Sequence, residues 1–90
     1  MKTSMDLTIS YQDGEPYAAY LRLPHPAKAR VRQTREFEPE ILVDFSHDGQ
    51  ALGIEMLDPR RATLAKLNRI MKKLRLPPLK RETVRPLRGT

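Results

Sequence analysis

The sequence contains no cysteine and no tryptophan. The first absence rules out disulfides, thiolate metal sites and cysteine nucleophiles. A secreted domain of this size usually depends on disulfide staples, so a chain without them fits a reducing cytoplasm. Aromatic residues are scarce: Tyr11, Tyr17, Tyr20, Phe37 and Phe45 are all there are in 90 residues. No run approaches the roughly 18 apolar residues of a membrane span. The first fifteen residues, MKTSMDLTISYQDGE, hold no apolar stretch of signal-peptide length. These absences predict a soluble, cytoplasmic protein without membrane association.

A further scarcity is local. Residues 59–90 carry a single acid, Glu82, against eleven Lys and Arg, a balance of +10. Residues 1–58 carry ten acids against six bases, a balance of −4. The division falls at Asp58-Pro59. It predicts an acidic β-rich body followed by a basic helix and tail, with an acidic partner for the basic end. Ninety residues make one domain with a thin core, because a chain this short buries only about 60–65% of its unfolded surface. A thin core favours self-association, since a second copy can cover an apolar face that one copy leaves bare.

Apolar spacing gives the elements. Residues 5–11 alternate without a miss, with Met5, Leu7, Ile9 and Tyr11 on one face. Residues 17–23 form a second strand. A two-residue turn at Asp13-Gly14 would set Ile9 against Ala18, joining the core face of one strand to the wrong face of the next. A longer loop or a bulge is therefore expected here, shifting the register by one. Residues 29–37 read as a weaker, basic strand suited to a sheet edge, with Ala29, Val31 and Phe37 on one face, closed by Pro39. In 41–57, Asp48-Gly49 signals a two-residue type I′ hairpin. That turn pairs Phe45 with Leu52, Val43 with Ile54 and Ile41 with Met56 on one face, and Asp44 with Gly53 and Leu42 with Glu55 on the other.

Asp58 and Pro59 suit the N-cap and first position of a helix. The helix is expected over about 59–75, with Leu64, Leu67, Met71 and Leu74 in one stripe and Ile70 beside them. Leu76-Pro77-Pro78 ends it. Residues 77–90 read as a flexible, basic, Pro-containing tail. The fold class is α+β: an antiparallel sheet of four or five strands with one C-terminal amphipathic helix, a single domain over 1–76 and a basic tail.

The segment 41–58, ILVDFSHDGQALGIEMLD, resembles the signature of a family of small bacterial proteins of uncharacterised function, domain of unknown function 2283. Its pattern is an apolar run ending in Asp (Asp44), an acidic-Gly turn (Asp48-Gly49), then Gly53-Ile54-Glu55-Met56-Leu57-Asp58. Tyr11 and Ala19-Tyr20-Leu21-Arg22-Leu23 resemble the family's first two strands. The resemblance spans roughly 5–60 and implies a compact β-rich domain; it also implies a toxin-like neighbour and an antitoxin-like role. The two prolines of 23–29 depart from the family's short Gly turn, and 60–90 lies outside the match.

Chemistry-bearing constellations are few. Asp44 and Glu55 lie diagonally across the hairpin, as a solvated acid pair or as partners for the basic helix. His25 and His47 lack the spacing and companions of a zinc site. Four scattered glycines (14, 49, 53, 89) make no phosphate loop. No catalytic residue, cofactor or metal is expected, and the chain is read as non-enzymatic. The candidate surface for an anionic partner is Arg61, Lys66, Arg69, Lys72, Lys73, Arg75, Lys80 and Arg81. Its charge would either neutralise the acidic body or engage phosphates. Base-specific reading of a nucleic acid has no support, since no aromatic platform or helix-turn-helix is present. The expected function is a protein-interaction module, self-associating as a homodimer and engaging a protein partner. The alternative is nucleic-acid binding or antitoxin-like regulation through 60–90.

Overall fold

Three hairpins build the sheet, and each carries one extra apolar residue. A computed structural model describes residues 5–88; residues 1–4 and 89–90, with the start of the leader reading, Gly89 and the end of the tail, lie outside the described residues. The strands are β1 (Asp6–Gln12), β2 (Glu15–Arg22), β3 (Gln33–Glu38), β4 (Ile41–Phe45) and β5 (Ala51–Met56). They form one antiparallel sheet in the order β1-β2-β5-β4-β3. The α+β architecture expected from the sequence is the one observed, with five strands.

The β1–β2 hairpin resolves the register conflict by a bulge. Asp13 (φ 53°) and Gly14 (φ 78°) make the tight turn, which pairs Gln12 with Glu15 and Tyr11 with Pro16. Tyr17 is then left over, and Ser10 meets Ala18. The slip of one sets Ile9 against Ala19 and Leu7 against Leu21, so apolar faces apolar.

The β4–β5 hairpin keeps four of the five expected pairs: Ile41–Met56, Leu42–Glu55, Val43–Ile54 and Asp44–Gly53. The fifth is corrected. Phe45 pairs with Ala51, and Leu52 is the extra residue. The cause is the turn. Only Gly49 has positive φ (86°), and its N–H donates to the Ser46 carbonyl at 3.1 Å. Ser46 and Gln50 close a three-residue loop, with Ser46 N donating to the Gln50 carbonyl at 2.9 Å. A type I turn with its last residue in the left-handed region replaces the expected type I′. The Leu52 bulge restores the register, and the Leu52 carbonyl accepts from Leu23 N at 2.9 Å.

The third strand is shorter than expected and lies at the edge. Residues 24–32 are loop, and Val31 is 49% exposed rather than packed. Arg32 N donates to the Phe45 carbonyl at 2.8 Å, where β4 ends, so 29–31 have no strand left to pair with. Phe37 is the extra residue of the β3–β4 hairpin. Its ring sits 6.0 Å from Phe45, with the Arg35 guanidinium over both rings.

The single helix of 59–75 is corrected to two pieces. Asp58 caps a 3-10 turn at Pro59–Arg61, accepting from Arg60 N at 3.2 Å. Ala62 then leaves helical geometry, because Thr63 starts a second cap and accepts from Lys66 N at 3.2 Å. Helix α1 runs Leu64–Lys73. Leu67, Ile70 and Met71 are buried, with Leu64 and Leu74 half-buried beside them. Arg75 (φ 61°) reverses the chain. Leu76 N donates to the Met71 carbonyl and Arg75 N to the Lys72 carbonyl, the two bonds of a Schellman stop built without glycine.

The flexible-tail reading of 77–90 is corrected for residues 77–88. Leu79, Val84 and Leu87 are buried in the common core, with Leu87 fully enclosed. Helix α2 (Arg81–Val84) and a 3-10 turn (Arg85–Arg88) carry the last two. Asn68 of α1 clamps the segment, donating Nδ2 to the Leu79 carbonyl and accepting Leu79 N at 2.6 Å. Arg88 donates to the carbonyls of Arg60 (3.0 Å), Pro59 (3.1 Å) and Ala62, capping the first 3-10 turn. All these groups lie in one layer, on the sheet face made by Ala19, Leu21, Ile41, Val43, Ile54 and Met56.

Candidate interaction surfaces

The two layers leave two unlike surfaces. The helical layer presents the cations. Among the eight sequence-predicted residues, Arg61 stays local, its Nε 3.7 Å from Asp58 on the 3-10 turn. Lys66, Arg69 and Lys73 gather on the flank of α1 facing β3. Arg69 donates from Nε and Nη2 to the Glu38 carboxylate, at 3.1 and 3.2 Å. Those bonds and the nearby Lys73 and Lys66 hold Glu38 below the usual carboxylate range. The same carboxylate pushes the Arg69 guanidinium up. Lys72, Arg75, Lys80 and Arg81 are exposed along the end of α1 and the segment that folds back over it.

Sequence reasoning missed Arg85 and Arg88, because it left that segment unfolded. Folded, it closes a groove of about 400 Å³ lined by Thr63, Leu64, Arg81, Val84, Arg85 and Arg88. Leu64 and Val84 make an apolar floor, and the arginines stand around it. Arg88 is committed to backbone carbonyls, while Arg81 and Arg85 are exposed. The signal that could have exposed the groove is the triplet Leu79, Val84, Leu87, which is too irregular for a helical period.

The opposite surface is the uncovered side of the sheet. Strand alternation brings Asp6, Thr8 and Ser10 of β1 to it, with Ala18, Tyr20 and Arg22 of β2. Gly53 and Glu55 of β5, Leu42 and Asp44 of β4, and Thr34 and Glu36 of β3 complete it. Four acids and one base stand there. The Tyr20 phenol donates to Asp44 Oδ2 at 3.1 Å, and Thr34 Oγ1 donates to Asp44 Oδ1 at 2.6 Å. Partial burial, then the Asp44 and Glu55 charges, push the Tyr20 hydroxyl up to about 12. Tyr20 lies over Gly53 so closely that a Cβ there would overlap its ring. The expectation that Asp44 and Glu55 pair with the basic helix is corrected: they face away from it, and the acid that meets the helix is Glu38 at the sheet edge.

A second cleft of about 400 Å³ lies beside the β4–β5 turn, where Lys28, Arg30 and Arg32 approach His47 and Asp48. The Asp48 carboxylate accepts from Ser46 Oγ, which holds it below its ordinary range. No group of three or more His, Cys, Asp or Glu among the described residues is placed to hold a metal. No helix among them is long and apolar enough to cross a membrane.

Comparison with curated proteins finds no match, and comparison with solved structures finds none. A family model described as "Protein of unknown function (DUF2283)" matches residues 13–59. The match takes in β2 to β5, with Tyr20, Asp44, Gly53 and Glu55 of the uncovered face, and ends before the cationic layer. It covers more than half of the chain, which therefore belongs to this family of unknown function.

Proposed function

We propose that this protein is a non-enzymatic interaction module of the cytoplasm whose helical layer holds an acidic, amphipathic protein segment. The observation that supports this reading most is the groove between α1 and α2. Its floor is Leu64 and Val84, and its free cations are Arg81 and Arg85. An acidic peptide with an apolar side chain fills both requirements, whereas a phosphate backbone offers nothing apolar for the floor. A toxin-like protein carrying such a segment would fit the same groove. The experiment is fluorescence anisotropy with a labelled helical peptide rich in Glu and Leu, at 50 and 200 mM salt. Binding that falls severalfold with salt yet persists, and that Arg81→Glu/Arg85→Glu abolishes, supports the reading. No binding of that peptide at 50 mM salt removes it.

A second reading rests on the remaining cations. Lys66, Lys72, Lys73, Arg75 and Lys80 extend the positive layer beyond the groove, and among the described residues Arg69 alone of the α1 cations has an acid bonded to it. A nucleic-acid backbone meeting about four of them gives log affinity falling against log salt with a slope near −4. Generic duplex DNA and RNA in the same titration measure this directly. Absence of binding near 50 mM salt eliminates it.

A further inference from the structure

The uncovered sheet face and the cationic layer lie on opposite sides of one thin molecule and carry opposite charge. The sheet face holds Asp6, Glu36, Asp44 and Glu55 against Arg22, a balance of −3. Between those acids stand half-buried Tyr20 and Leu42, and at the end of β5 Leu57, 49% exposed. Tyr20 and Leu42 are only part exposed, so charge more than apolar area selects what this face can meet. Two such faces cannot meet each other, because −3 would oppose −3 with no cation but the two Arg22 side chains between them. The helical layer offers the complement: Lys72 and Lys73 project from it, and Leu64 and Val84 floor its groove.

We infer that the occupant of the sheet face is the cationic layer of a second copy, so that copies stack face to back. This rests on the reading of the helical layer as a docking surface for acidic protein, and it names one such protein as the chain itself. The contact is heterologous: one copy gives its sheet face and the other its helices. Both copies keep a free surface, so association continues beyond two rather than closing as a symmetric dimer. The sheet face measures about 20 by 20 Å from strand spacing and rise, or about 400 Å² per partner. That is half the usual area for a stable complex, so the stack forms weakly and at high concentration. Exposed ion pairs supply much of the attraction, which makes it sensitive to salt.

Sedimentation of the full chain at micromolar to near-millimolar concentration tests this. At about 20 mM salt the mean mass should rise steadily with concentration past that of a dimer; at about 500 mM it should return to the monomer. Two charge reversals sharpen the test. Glu36→Lys/Glu55→Lys takes the sheet face from −3 to +1, and Lys72→Glu/Lys73→Glu/Lys80→Glu/Arg81→Glu/Arg85→Glu takes residues 59–90 from +10 to zero. Each variant alone should stay monomeric, and an equimolar mixture should associate again, since each then presents what the other lacks. Circular dichroism checks that both variants fold. A monomer at every concentration in low salt overturns the inference, as does association that stops at two, or a mixture that fails to recover. The Glu/Leu peptide separates this failure from failure of the proposed function: peptide binding by a strictly monomeric protein leaves the groove reading intact and removes stacking.

Discussion

The phenol of Tyr20 lies across the backbone of Gly53 and reaches Asp44 on the next strand, so three strands are tied on the uncovered face by one side chain. Gly53 has an ordinary extended backbone. What forbids a side chain there is the ring above it. Gly53→Ala should therefore displace Tyr20, break its bond to Asp44 and destabilise the fold by about 1–3 kcal/mol, measured by chemical denaturation. Tyr20→Phe removes the nearest crowding atom, the hydroxyl oxygen, but leaves two ring carbons that a Cβ at 53 would still overlap, so in a Gly53→Ala background it should recover only part of the loss.

The same tyrosine predicts an alkaline effect. Its hydroxyl ionises near 12 in the fold against 10.0 for an ordinary tyrosine. The folded state thus holds its proton more tightly than the unfolded state. The stabilisation is complete below pH 10 and is lost as pH rises from 10 towards 12. Tyr20→Phe should flatten that part of the stability profile while leaving the slope near neutrality unchanged. Equilibrium denaturation at pH 8, 10 and 11.5 reads the difference.

Arg75 occupies the left-handed position that ends α1, at φ 61°. A residue with a Cβ is strained there, and glycine is the usual occupant. Arg75→Gly should raise stability by about 0.5–1 kcal/mol, with the Leu76–Met71 and Arg75–Lys72 backbone bonds retained. Arg75→Ala, which removes the charge and keeps the strain, should not.

The sheet was legible in the sequence where hydrophobic register and turn chemistry constrained each other. The conflict between Asp13-Gly14 and the Ile9 face announced the bulge that Tyr17 makes. Four pairs of the β4–β5 hairpin followed from one turn position. The Phe45 pair failed because Asp-Gly suits more than one turn type. Here Ser46 donates its hydroxyl to Asp48, and the chain takes the three-residue loop. The two-piece helix was missed because Thr63, a second capping residue, sits inside an unbroken run free of Gly and Pro. The C-terminal segment was illegible for another reason. Its anchors Leu79, Val84 and Leu87 follow no period, and the groups that tie it down, Asn68 to Leu79 and the Pro59 carbonyl to Arg88, are distant in sequence. The groove could not be read before that segment was folded.

Glu38 sits on the helix side of the sheet edge, where Arg69 donates two bonds to it. Its carboxyl titrates below the ordinary 4.5 because of those bonds. The pair contributes stability at and above the pH where an unfolded Glu ionises, and loses it as pH falls through the lower folded value. Arg69→Ala should therefore reduce stability at pH 7 and have progressively less effect on acidification below about pH 4. The difference at pH 7 should also shrink in high salt, since the guanidinium is largely exposed. Urea midpoints at pH 7 and pH 3, at low and high salt, check both trends.

The C-terminal segment is held by three separate devices, and they should fail separately. Arg88 supplies hydrogen bonds to three carbonyls of the first 3-10 turn, so Arg88→Ala leaves those acceptors without it at a cost of about 1–3 kcal/mol. The same range applies to Asn68→Ala, which unclamps the Leu79 backbone. Leu87→Ala empties a fully enclosed site and should cost about 2–5 kcal/mol. Hydrogen exchange distinguishes them. Asn68→Ala should speed exchange at Leu79 first, and Arg88→Ala at Ala62 and the residues of the last turn. Neither should alter β4 and β5, whose amides are paired within the sheet. Uniform acceleration in both variants would mean that the segment opens only with the whole domain, and the groove it builds would then have no life of its own apart from global unfolding.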